Sequence, residues 1–389
     1  MGLKKYDIET ILEEQTLPAV PNEYAIKYWS YNRSVSELVL MFDGGEIIIP
    51  TLQREYVWSY EQASLFIDSI IRGLPIPSFF ITEIKSKYLI IDGLQRLNTL
   101  SLFVKNQPFE LWKRKNFKLS NNSSILEQIR GLSFEELPII YQNKINRALM
   151  NVIEFSQISP ENNYSAMYQI FERINSTGRI LEPQEIRNAA YNSSFNNYLN
   201  EKSKYSSFIK LYPVKKEVYL AEMLLRYICV DCLLNINYQR TYNLKNTLNE
   251  YMALMQATEL KLNINEKSFP TFYMIKDEPS YTKSVENFEK SIDWILENIG
   301  PNSFRNIKSI NNGKTIYKST IQTTLAETLL IVVSELLKND YYIDRKKNYR
   351  DLLDNILLIE EVQYLLSHST TNMSNIKKRV EIFLREFTK

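Results

Sequence analysis

The sequence predicts an α+β protein, with a small mixed sheet flanked by helices in its first half and an all-α domain in its second. Three observations predict this. Short apolar and β-branched runs at Glu46 to Ile49, Phe79 to Ile84, Tyr88 to Ile91 and Asn151 to Ile158 read as strands, with too few alternating βαβ units for a doubly wound fold. Beyond about residue 205 the pattern changes to long helical stretches, 215–236, 243–259, 281–299, 317–338, 349–367 and 374–387, and no comparable strand signal survives. The change falls in the polar run NEKSKYSSF at 200–208. The expected organisation is an N-terminal helix and arm over 1–33, a mixed domain over 34–205 and a helical domain over 206–389.

In order along the chain, residues 1–32 read as a short helix and an extended arm through Pro18 and Pro21, rich in Tyr24, Tyr28, Trp29 and Tyr31. Such an arm packs on its own domain or on a partner. A brief helix from Ser34 to Phe42 stops at Asp43-Gly44-Gly45. The next helix is well specified: Ser59 and Gln62 form a capping box, Ala63, Phe66, Ile67, Ile70 and Ile71 share one stripe, and Gly73 closes the end. Pro75 and Pro77 stiffen the approach to the strand at Phe79, which turns at Lys85-Ser86-Lys87 into the strand before Asp92, so the two form a hairpin. Residues 105–150 are a polar, Asn-rich, partly helical insertion with no assignable chemistry. From Glu161 a helix carries Tyr164, Met167, Phe171 and Ile174 on one face, and Pro183 opens the following helix with Glu185 and Asn188. In the last helix Ile376, Val380, Phe383, Leu384 and Phe387 point inward, and Lys377, Lys378 and Arg379 read as a solvated face.

Composition narrows the function classes. At 389 residues and 44% hydrophobic, the chain is long enough for two domains with real cores. Net charge is +2, so no global field drives it onto nucleic acid or membrane, and any nucleic-acid contact is local. The start MGLKKYDIETILEEQ has no apolar leader region, and no later run approaches the roughly 20 apolar residues of a membrane span, so a cytoplasmic protein is expected. Cys229 and Cys232 lie in an apolar helical run without a second ligand pair, which reads as core packing rather than zinc or redox chemistry. His368 is the only histidine, which excludes His-rich metal sites and His-Asn-His nucleases. Gly313-Lys314-Thr315 looks like the end of a P-loop, but Lys308 stands where its first Gly belongs.

The chemistry concentrates in KYLIIDGLQRLNTLSLFV, 87–104: a strand, a corner at Asp92-Gly93, and a helix carrying Leu94, Leu97, Leu100 and Val104 inward. A strand entering a helix through Gly leaves the first helical N–H groups pointing out of the corner, where they can hold an anion. The helix places Gln95, Arg96 and Thr99 near Asp92. An acid, a cation, an amide and a hydroxyl there are the parts of a phosphoryl site, for metal or water handling, charge neutralisation and orientation. The plainer reading makes Asp92 a helix cap and Arg96 the partner of a surface acid. Two further segments flank the corner. In TLQREYVWS, 51–59, Gln53, Arg54, Tyr56 and Trp58 alternate so as to send Arg54 toward it over packed rings, against the alternative of core rings and a solvated arginine. On the other side Arg173, Asn175 and Thr177 can face it, although a helix C-cap explains Asn175 and Gly178 equally well. Gly93 and Gly178 fall in these two turns, where the backbone makes demands.

QREYVW, SIIRGLPIP, YLIIDGLQRLNTL and FERINSTGRILEPQEIRNA, in this order, resemble the N-terminal domain of GmrSD-type modification-dependent restriction proteins, the domain-of-unknown-function family 262, over roughly residues 34–195. That family is distantly similar to ParB and sulfiredoxin folds. The resemblance implies a ParB-like domain that binds and hydrolyses nucleoside triphosphates with a divalent metal, in bacterial defence against phage. Its DGQQR signature carries over onto Asp92, Gly93, Gln95 and Arg96, with Leu94 replacing the first Gln and Asn98-Thr99 replacing a Thr-Thr pair. If that Gln positions the attacking water, this chain turns nucleotide over slowly or not at all. The C-terminal His-Asn-His nuclease of the restriction type is not expected beside a single His368.

The expected function is a nucleotide-binding and hydrolysing subunit of a defence or restriction system, an NTPase using Mg²⁺ with ATP, GTP or CTP undistinguished. Asp92, Gln95 and Arg96 would be catalytic, Asp92 would ligate metal, and Gln53, Arg54, Tyr56, Gly93, Thr99, Arg173, Asn175 and Gly178 would bind nucleotide. The alternative is a non-hydrolysing sensor or scaffold that binds DNA or a partner effector protein. Nuclease activity of the chain alone is least expected, because only one acid is well placed and two-metal cleavage wants several.

Overall fold

The computed structural model describes residues 25–49, 56–84, 86–107, 112, 116–159, 165–174, 182–191, 193–236, 244–266, 268–275, 281–312, 314–339 and 347–389. The helix expected near the N-terminus lies outside these residues. The chain divides into two compact units, with 23–192 in one and 193–389 in the other. The helix Ser194–Lys202 thus belongs to the second unit, ahead of the polar run where composition shifts.

The first unit is built on a five-stranded mixed sheet in the order β1-β5-β3-β4-β2. The strands are β1 (Ala25–Ser34), β2 (Ile47–Ile48), β3 (Phe79–Ile84), β4 (Lys87–Asp92) and β5 (Leu149–Ser159). β1 runs antiparallel to β5, β5 parallel to β3, β3 antiparallel to β4 in the expected hairpin, and β4 parallel to β2. The aromatic arm is therefore in part an edge strand, pairing Tyr28 with Phe155 and Tyr31 with Val152.

Helices α1 (Val35–Asp43), α2 (Tyr60–Arg72), α3 (Leu94–Val104) and α4 (Ile139–Arg147) share one core with Ile47, Phe79, Ile81, Ile90, Met150 and Val152 of the strands. α2 forms as its sequence dictates, with the Ser59–Gln62 capping box closed at its start and Gly73 left-handed at φ 73° at its end. Asp68 on this helix is buried, bonds Arg72 at 2.6 Å and accepts from Leu126 N at 2.8 Å. The insertion is less polar than its composition suggests. Phe117, Leu119, Ile125, Ile129, Phe134 and Leu137 enter the same core, because Asn-rich turns bring short apolar segments back onto it. α5 (Ser165–Ile174) packs against β4 and against α6 (Pro183–Ala190).

The second unit is mostly helical: α7 (Ser194–Lys202), α8 (Ser206–Leu211), α9 (Val218–Asn235), α10 (Leu244–Glu259), α11 (Thr282–Asn298), α12 (Thr323–Lys338), α13 (Tyr349–Leu357), α14 (Glu360–Ser367) and α15 (Met373–Thr388). It is not all-α. Strands β6 (Ile307–Asn311) and β7 (Lys314–Tyr317) form an antiparallel hairpin, so helix α12 starts six residues beyond 317. Lys314 and Thr315 lie in β7 rather than at a helix start, and the P-loop likeness has no structural counterpart. The stretch 349–367 is two helices, broken at Leu358. Arg379 is not solvated: it is fully buried, bonds Glu327 at 3.4 Å and Thr328 Oγ1 at 3.1 Å, and donates to the carbonyls of Leu365 and Thr370. The Leu365 carbonyl in the last turn of α14 and the Thr370 carbonyl just beyond it need donors, which a planar guanidinium supplies. Cys229 is buried in α9, and burial pushes the Cys232 thiol up to about 12, the inert behaviour of a packing residue.

Candidate functional site

The strand β4 ends at Asp92 and α3 begins at Leu94, so Gly93 alone makes the corner. It has φ 106°, and a Cβ there would lie 2.5 Å from Cδ1 of Phe79. Only glycine fits both the backbone angle and the ring beneath it. The first intrahelical bond runs from Leu97 N to Gly93 O, so the amides of Leu94, Gln95 and Arg96 have no acceptor within the helix. Gly93 has no side chain to cap them. Among the described residues no acceptor meets these amides, so the positive dipole end of the helix faces the corner.

Asp92 is about a third exposed and gives Oδ2 to Arg96 at 2.6 Å. Its Oδ1 has no hydrogen-bond partner among the described residues. Arg96 is 7% exposed, donates to the carbonyls of Pro77 and Ser78, and lies 5.0 Å over the Phe79 ring. Desolvation lowers its pKa and Asp92 opposes that shift. An arginine stays protonated regardless, so the buried cation ties the corner to the segment leading into β3.

The remaining predicted residues divide sharply. Thr99 is fully buried, donates to Gln95 O at 2.7 Å and lies 2.6 Å from the Tyr56 hydroxyl, so both residues sit beneath the corner. Burial pushes the Tyr56 phenol up to about 12, which keeps it a neutral hydrogen-bonding group. Gln95 uses Oε1 to accept from Val57 N at 2.9 Å and Trp58 N at 3.4 Å, holding the 56–58 segment against α3. Trp112 stacks edge-on to Tyr56 and donates to Trp58 O at 3.2 Å. Leu94 is 6% exposed and belongs to the core cluster, so its side chain points away from the corner. Arg173 is exposed in the last turn of α5, the helix on β4. Gln53, Arg54, Asn175, Thr177 and Gly178 lie outside the described residues.

Sequence reasoning missed Phe79, the floor under both Gly93 and Arg96. It also missed most of a polar set on α6, where Gln184, Arg187 and Asn188 are all buried; Gln184 accepts from Arg187 at 3.0 Å and donates to Asn188 at 3.1 Å. Polar residues at i, i+3 and i+4 are the signal, since one stripe of a short helix must then be polar inside. Among the described residues no group of three or more His, Cys, Asp or Glu is placed to hold a metal. A single carboxylate with one free oxygen nevertheless suits Mg²⁺, which takes one or two carboxylates and fills its shell with phosphate and water. A cavity of about 460 Å³ opens elsewhere in this unit, between the end of α2 and the start of β5, with Arg72, Lys144 and Asn151 in its lining.

Residues 35–192 match the family of the GmrSD restriction endonuclease, N-terminal domain. The resemblance read from the motifs is thereby shown for this segment. No curated protein and no solved structure matches the chain. No helix among the described residues is long and apolar enough to cross a membrane.

Proposed function

We propose that the segment matching the GmrSD N-terminal domain is a nucleoside-triphosphate-binding module of a restriction system that defends against foreign DNA. The observation that carries this is the start of α3 behind a left-handed Gly93, where the first amides and Asp92 Oδ1 have no partner among the described residues. The amides of Leu94, Gln95 and Arg96 receive phosphate oxygens. Mg²⁺ bound with the nucleotide supplies charge neutralisation, with Asp92 Oδ1 as its protein ligand. Arg96 acts as a positioning residue that fixes Asp92, and Gln95, Thr99 and Tyr56 brace the 56–58 segment beneath. Arg173 at the exposed end of α5 adds a cation. Gln53, Arg54, Asn175 and Gly178, which lie outside the described residues, are kept as nucleotide-binding candidates from their place in the sequence motifs.

Hydrolysis at this corner is slow. Leu94 is packed in the core and Gln95 already serves two backbone amides, so neither offers a free group to orient water. The same two facts favour a second reading, a sensor that binds nucleotide without turning it over.

The test is calorimetric binding of each of the four nucleoside triphosphates with Mg²⁺, alongside phosphate release, by the protein and by Asp92→Asn. Asparagine keeps an acceptor for Arg96, so the fold persists; truncation to Ala would strand a buried cation at a cost of about 3–5 kcal/mol. Asp92→Asn is expected to weaken Mg²⁺-nucleotide binding by about tenfold or more and to remove any turnover. Unchanged binding and turnover in the folded variant would sink the proposal, and binding without turnover by the parent chain selects the sensor.

A further inference from the structure

The hairpin that the sequence concealed lies outside the family segment. It falls within residues 298–326, which contain no Asp or Glu and carry Arg305, Lys308, Lys314 and Lys318. Arg305 is spent on structure, donating to the carbonyls of Lys318 and Ser319. Lys308, Lys314 and Lys318 are exposed and in no ion pair among the described residues. Lys210, Lys283 and Lys290 are likewise exposed and in no ion pair among the described residues, so what marks the ribbon is that its lysines lie together in a segment without a carboxylate. The ribbon therefore concentrates uncompensated positive charge on a molecule that is nearly neutral overall.

Its base is tied into the unit. Tyr317 donates to Asp354 Oδ2 at 2.8 Å, the Arg350 guanidinium lies 4.4 Å over the Tyr317 ring, and Asn306 donates to Gln363 Oε1 at 2.7 Å. Lys318 N closes the base on Asn306 O at 2.8 Å. Beyond that anchor Ile310 pairs with Thr315 and Asn311 with Lys314, and Asn312 turns the chain at φ 50°. Ile310 and Ile316 are 49% and 41% exposed.

We propose that the β6–β7 ribbon enters the major groove of double-stranded DNA. Two strands about 4.8 Å apart with their side chains fill a groove roughly 12 Å wide. Lys308, Lys314 and Lys318 meet phosphates, which position the ribbon; Asn311 and Asn312 at the tip reach base edges, and the exposed isoleucine on the face turned to the bases meets a thymine methyl group. The anchoring of Tyr317 and Asn306 fixes the ribbon's direction, so little conformational freedom is lost on binding. The proposal stands independently of the nucleotide site, because it rests on a different unit.

The test is fluorescence anisotropy of the full chain with a labelled DNA duplex of about 25 base pairs, long enough for two helical turns, across 50 to 200 mM KCl. Three phosphate contacts predict a log–log salt slope of about −2.7, hence roughly 40-fold weaker binding at the higher salt. The triple variant Lys308→Gln, Lys314→Gln, Lys318→Gln is expected to lose about tenfold or more in affinity at 50 mM and most of the slope. A control with Lys210, Lys283 and Lys290 changed to Gln removes the same charge elsewhere and should bind as the parent does. Circular dichroism melts check that both variants remain folded, as exposed positions allow. Absence of duplex binding at 50 mM, equal binding by the ribbon variant, equal loss in the control, or preference for single-stranded RNA of the same length would each overturn the proposal.

Discussion

Gly93 decides whether the corner exists. A side chain there must adopt φ 106° and displace the Phe79 ring, which is itself 1% exposed and under Arg96. Gly93→Ala is expected to cost about 2–4 kcal/mol, combining left-handed strain with an overpacked contact; a urea midpoint within error of the parent would show that the ring yields freely. The glycine was legible in the sequence because a strand can enter a helix so abruptly only through such a residue. Phe79 was not, because which ring lies below a turn depends on the bulge between Phe80 and Ile81 in β3. Thr99 and Gln95 were legible as neighbours of the corner but not as braces. Their spacing puts both on one face of α3, and only the 56–58 segment lying on that face turns them from ligands into supports.

Among the elements, α2 was readable to the residue because cap, apolar stripe and stop all lie within one short window. Its start offers a direct check on that reading. Ser59 accepts from Gln62 N at 3.2 Å while Gln62 Oε1 accepts from Ser59 N at 2.8 Å. Ser59→Ala is expected to lower stability by about 1 kcal/mol, with little further loss when Gln62→Ala is added, because the two bonds form one box; full additivity in that double-mutant cycle would show two independent contacts. Strands that bury neither face escaped the same reading. β6 and β7 alternate Lys, Ser, Asn and Thr with exposed isoleucine, so no stripe marks them, and β1 at the sheet edge is mostly exposed along its ten residues. Asn312-Gly313 between the two runs is a hairpin-turn dipeptide, and reading 313–315 as the end of a P-loop passed over it. The break between α13 and α14 carries no Pro or Gly, and only packing reveals it.

For the molecule as a whole, near-equal acids and bases hide how unevenly charge is buried, and composition alone cannot show it. Glu250 on α10 is the clearest case. Its Oε1 accepts from Thr271 N at 2.6 Å and Phe272 N at 3.0 Å, clasping the turn that seats the fully buried Phe269 and Phe272. Burial pushes its carboxyl up to about 6 from 4.5, although those hydrogen bonds pull it down. In the folded state the group therefore holds its proton to higher pH than in the unfolded chain. Its contribution to stability is complete below the unfolded value, declines as pH rises through about 6, and is gone above it, a loss of about 2 kcal/mol. Glutamine keeps an acceptor for both amides and has no charge to desolvate. Glu250→Gln is expected to match the parent in urea unfolding near pH 4.5 and to exceed it by about 2 kcal/mol at pH 7.5. A variant less stable than the parent at pH 7.5 would mean that the ionised carboxylate gains more from the two amides than it loses by burial.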